Sequence, residues 1–127
     1  MPMKARTLRN SFKGCPSAAK PAGFTEQSVV HVQVGSEYEV HALSVFSGVT
    51  FLLIVDDLGM FSWLPAWLFE VTDRRMPTDW IVSLFNDDPS VVIGPPLIAE
   101  NLEAYSRFVE QEPELVNAMR ERIQASG

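Results

Sequence analysis

Cysteine is almost missing from this chain: Cys15 is the only one in 127 residues. A single cysteine excludes an intrachain disulfide and any metal site made of cysteine alone. It fits a reducing, cytoplasmic setting. Histidine is nearly as scarce, with His31 and His41 alone. Long apolar runs are lacking too. The longest, Val49 to Val55, falls far short of the roughly 20 residues that a membrane helix needs. The basic N-terminal stretch is not followed by the continuous apolar segment of a secretory signal. A Gly-x-Ser-x-Gly elbow is absent. Gly94-Pro95-Pro96 is no phosphate loop, because proline supplies no N–H donor. These absences point away from catalysis: no catalytic residue, no metal and no cofactor is expected.

What is present is one domain's worth of chain with 46% hydrophobic residues, enough for a core without staples. The charge is unevenly spread. Residues 1–28 carry Lys4, Arg6, Arg9, Lys13 and Lys20 against Glu26 alone, a balance of +4, while residues 29–127 balance at −10. An acidic body repels a phosphate backbone and attracts basic partners. Nucleic acid and membrane are therefore not the expected partners; a protein with a basic surface is. Acidity also serves plain solubility, which is the competing reading.

Residues 1–28 read as a disordered basic arm. They hold Pro2, Gly14, Pro16, Pro21 and Gly23 and few large apolar residues, too few to offset the entropy of ordering. A transit peptide, an upstream start and an arm folded onto the acidic body are the other readings. Residues 29–127 read as a single domain.

Strand signals begin at Val30, Val32 and Val34, which alternate with His31 and Gln33. Further strands are expected over Tyr38–Phe46, Val49–Val55, Met60–Leu64, Trp67–Thr72, Trp80–Phe85 and Ser90–Ile93. Ser47-Gly48 and Asp57-Leu58-Gly59 are tight turns between them. Short strands at this spacing suggest a small, strongly bent antiparallel barrel. After Pro96 the period becomes helical, with Leu102, Tyr105, Phe108 and Val109 on one face. Leu115, Val116, Met119 and Ile123 follow in a second helix opened by Pro113. The class is α+β: a barrel, then two helices. Its core should include Val40, Ala42, Phe51, Leu53, Phe69, Ile81, Phe108 and Met119.

Three constellations could carry function. His31 and His41, on neighbouring strands, could meet with Glu39 as a three-ligand metal site serving a small hydrolase; two hydrogen-bonded strand histidines are the simpler reading. Asp56-Asp57 and Asp87-Asp88 stand at turns, where aspartate caps backbone N–H groups, or where it forms an acidic rim for a basic partner. Trp63, Trp67 and Trp80, flanked by Phe61, Phe69 and Phe85, either fill the core or anchor an interface. The expected binding residues are Asp56, Asp57, Trp63, Trp67, Trp80, Asp87 and Asp88.

The stretch YEVHALSVFSGVTFLLIVDDLGMFSWLPAWLFEVTDRRMPTDW, with YSRFVEQEPELV after it, resembles small bacterial proteins with an SH3-like barrel. Some of these resemble immunity proteins that neutralise a toxin. The resemblance implies an SH3-like barrel and a protein-binding role, and it carries no residue assignment. The expected function is a protein-binding module, of the kind that inhibits a basic toxin; a scaffold or regulatory subunit that forms homodimers is the alternative.

Overall fold

The computed structural model describes residues 3–20 and 23–126. Met1, Pro2, Pro21, Ala22 and Gly127, four of them in the expected arm, lie outside the described residues. Val49–Val55 organises the rest. An unbroken apolar strand needs cover on both faces, and this one (β4) is the second strand of a five-stranded antiparallel sheet with a separate core on each side.

In chain order the strands are β1 (Met3–Thr7), β2 (Glu37–Val40), β3 (Ala42–Phe46), β4, β5 (Phe61–Pro65), β6 (Phe69–Asp73), β7 (Ile81–Leu84) and β8 (Val91–Gly94). The larger sheet runs β5-β4-β3-β8-β7 and a smaller one runs β2-β1-β6. Three helices follow: α1 (Pro96–Ala99), α2 (Leu102–Val109) and α3 (Pro113–Ser126). The architecture is thus α+β in three layers: small sheet, large sheet, helices. Among the described residues neither sheet closes into a barrel.

Alternation divides the buried middle of β4 between the two cores. Leu52 and Ile54 point to the small sheet, joined by Leu64, Leu68, Val40, Ala5 and Phe12. Leu53 points to the helices, joined by Ala42, Val92, Ile98, Phe108 and Met119. Gly94 lies where β8 crosses close to β3: a Cβ there would stand 2.9 Å from that of Ala42. Asn101 caps α2 by accepting from the Ala104 N–H at 2.8 Å. Of the expected core, Phe51 and Ile81 are only half-buried; the other six are buried.

The largest departure from the sequence reading is at the N-terminus. Residues 3–20 and 23–28 are no disordered arm. Met3–Thr7 is the middle strand of the small sheet, paired with both β2 and β6. Met3, Ala5 and Thr7 face inward, while Lys4 and Arg6 face outward. Lys4 stands opposite Glu39 and Asp73, and Arg6 opposite Glu37 and Glu70. Two of the five positive charges of the expected arm, Lys4 and Arg6, thus sit on a strand between two acidic ones, which is favourable across a ladder. Phe12 is fully buried against Phe24 and Trp67, and it pins the long β1–β2 connection.

Three smaller differences share one cause, local pattern overridden by packing. The segment 29–34 joins no ladder: Val30 and Val32 are buried, but Val34 is exposed. The expected strand Tyr38–Phe46 breaks at His41, where the chain passes from the small sheet to the large one. A 3-10 turn, Ala66–Leu68, replaces the start of the strand expected at Trp67.

Candidate functional site

The two acidic pairs flank β4 at opposite ends. Its seven residues, at about 3.3 Å rise each, put them roughly 20 Å apart, so they form no common rim. Asp56 builds the β4–β5 turn: its Oδ1 accepts from the Leu58 and Met60 N–H groups and its Oδ2 from the Ser62 hydroxyl. Asp57 accepts from the Tyr38 hydroxyl at 2.7 Å. Asp88 accepts from the Ser47 N–H and hydroxyl, steadying a turn in which Ser47 and Gly48 both have positive φ, as a two-residue hairpin requires. Asp87 is exposed.

The tryptophans separate likewise. Trp63 belongs to the helix-side core, beside Tyr105 at 5.5 Å and Phe108 at 6.5 Å. Its buried indole N–H meets no acceptor among the described residues. Trp67 lies beside a shallow groove of about 210 Å³ with Ala18, Ala19, Val49 and Pro65. It already has partners: the Arg9 guanidinium sits 4.1 Å over its ring and also donates to its carbonyl. Trp80 is half-buried against the core between the sheets.

The histidines are not brought together with a third ligand. No group of three His, Cys, Asp or Glu side chains suited to a metal ion exists among the described residues. His31 is exposed on the 29–34 segment. His41 is half-buried at the β2–β3 break, edge-on to Phe61 at 6.3 Å. It lines a cleft of about 390 Å³ with Tyr38, Glu39, Val55, Arg120 and Gln124. The charged groups here are largely committed. Glu37 accepts from Thr72 and pairs with Lys4; Arg120 donates to the Gly59 carbonyl and lies over the Phe61 ring.

Burial, with a smaller push from the Arg122 charge, lowers His41 to about 4 from its ordinary 6.5. The folded state therefore resists protonation that the unfolded chain accepts, so stability is full above pH 6.5 and falls as pH drops toward 4. The loss is on the order of 3 kcal/mol at 1.4 per pH unit. Urea midpoints at pH 7.5 and pH 5 are expected to differ clearly for the native chain and much less for His41→Gln. An equal drop in both would assign it to other groups.

Among the described residues, one apolar surface without a partner lies on the large sheet. Register places Val82, Ile93 and Leu43 in one cross-strand row, and Leu84, Val91 and Val45 in the next. These six share the sheet face that β4 and β5 turn toward the small sheet. That sheet does not reach across to β7, and exposure rises strand by strand. Leu43, Val45, Val91 and Ile93 are half-buried; Val82 is 62% exposed and Leu84 75%. β7 is also an edge strand. Phe85 donates its N–H to the Ser90 carbonyl, so residues 81, 83 and 85 turn their backbones to β8, and Val82 and Leu84 turn theirs to the open edge. Edge strands are commonly blunted by lysine or proline; Trp80 to Phe85 contains neither and carries no charge.

Of the expected binding residues, Trp80, Asp87 and Asp88 bracket this strand, whereas Asp56, Asp57, Trp63 and Trp67 lie elsewhere. Val82 and Leu84 were missed because nothing local marks a strand as an edge. No helix among the described residues is long and apolar enough to cross a membrane. No family model, curated protein or solved structure matches the chain.

Proposed function

We propose that the chain is a protein-binding module that docks a partner on the open aliphatic face of the large sheet. The observation that carries this is the pair Val82 and Leu84, exposed at 62% and 75% on an edge strand. Large apolar side chains grouped on one face mark an interaction surface. The net charge of −6 supports a basic partner, steered by charge and held by apolar contact. Occlusion of a basic protein, as an immunity-type inhibitor does, is the role this suits, and the lone cysteine supports a cytoplasmic setting. Two strand connections support the SH3-like reading: β2 runs into β3, and β5 leads through the 3-10 turn into β6. At both places the chain switches sheets, as at the corners of a small barrel.

Burial of one such side chain stabilises by about 1.5–3 kcal/mol. The double variant Val82→Ser with Leu84→Ser is therefore expected to lose at least tenfold in affinity for a captured partner, with an unchanged melting temperature. The check is paired capture of cell-extract proteins by the full native chain and by the variant, then affinity measurement on what differs. Partners retained equally by both would place the interface elsewhere.

A further inference from the structure

Resting on that reading, we infer that the partner supplies an extended segment that adds to β7 as a sixth, antiparallel strand, apolar at alternate positions and basic at its N-terminal end. Three features lead there. The first is the open backbone of Val82 and Leu84, two donors and two acceptors on one edge. A partner covering this edge satisfies them by strand pairing, the mode by which extended peptides extend a sheet. The second is alternation. Val82 and Leu84 face the open side, whereas Ile81 faces the helix layer and Ser83 is bonded there, its hydroxyl donating to the Ala99 carbonyl. An added strand continues both faces only if every second residue is apolar on the open one.

The third is charge at the two ends of β7. At its start, Asp79 accepts from Nη1 and Nη2 of Arg122 and its charge is offset. At its end stand exposed Asp87 and Asp88, the latter bonded to neutral Ser47. The acidic end thus lies beyond Leu84. Antiparallel addition, the arrangement of every pairing within both sheets, brings the segment's N-terminus there. A second copy of this chain is a poorer occupant, because residues 77–85 of that copy hold no lysine or arginine to set against Asp87 and Asp88.

The test uses the full chain, labelled with ¹⁵N, and the synthetic peptide Lys-Lys-Thr-Val-Thr-Val-Thr as probe. Binding is expected to slow hydrogen exchange at the Val82 and Leu84 amides. N-methylation of one alternate set of peptide amides is expected to weaken binding at least tenfold, and of the other set to leave it nearly intact. Replacing both lysines by glutamate is expected to weaken it at least tenfold at low salt. Binding that tolerates both methylated peptides would overturn strand addition while leaving the open face as the docking surface. No peptide binding, with dimers in sedimentation that Leu84→Lys dissolves, would overturn it in favour of a second copy. No peptide binding by a monomer overturns it as well, and capture that is indifferent to Val82 and Leu84 removes the underlying reading too.

Discussion

A chain shortened to residues 29–127 is expected not to fold. It loses β1, the strand between β2 and β6, and with it every backbone pairing of the small sheet. Met3, Ala5 and Phe12 leave the core they share with Leu52, Ile54 and Leu68. Phe12 alone corresponds to about 3–5 kcal/mol when a buried phenylalanine is removed, against a total stability of about 5–15 kcal/mol for a domain. Two acidic strands, with Glu37 and Glu39 on one and Glu70 and Asp73 on the other, also lose the lysine and arginine between them. Far-ultraviolet circular dichroism and a urea titration would check this: the shortened chain should show no cooperative transition. A sharp transition with native near-ultraviolet signal would mean that the first strand is dispensable. The practical consequence is that binding studies need the full chain.

Phe108→Ala is expected to be the most damaging single change on the helix side. The ring is 2% exposed and lies edge-on to Phe61 at 5.3 Å and to Trp63 at 6.5 Å. It is the knob by which α2 grips β5. Its loss removes apolar burial and leaves a cavity, together about 3–5 kcal/mol, with a further fraction for the aromatic pairs. The neighbouring Val109→Ala, at a side chain 44% exposed, should stay within about 0.5 kcal/mol. Urea midpoints of the two variants would separate them. Trp63 loses its cover only in the first, so its fluorescence should shift to the red there. Equal midpoints would show that α2 contributes little to the stability of the sheet.

Several features of the fold were legible locally. The turns at Ser47-Gly48 and Asp57-Leu58-Gly59, the seven-residue β4 and the two longer helices follow from turn residues and periodicity, which act over a few positions. Asp56 and Asp88 likewise cap turns, as aspartate at such places does. The metal alternative needed three ligands to converge, and convergence is a property of packing. His31 and His41 lie close in sequence, yet one is exposed on a loop and the other sits in a cleft.

By itself, then, the sequence determined the α+β class, the order of most strands, the helical tail and the acidic character of the body, because each depends on composition or on neighbours along the chain. Tertiary structure alone decided the rest. Met3-Lys4-Ala5-Arg6-Thr7 alternates as a strand should, but Met3 is its one large apolar residue and its outward residues are basic. Only the acidic neighbours on β2 and β6 make it the centre of a sheet. Val82 and Leu84 flank Ser83 in a strand that nothing along the chain marks as an edge. They are exposed because β7 falls last in the sheet, beyond the reach of the layer that covers β4. Which strand becomes an edge is settled by how all eight pair, and the candidate docking surface follows from that alone.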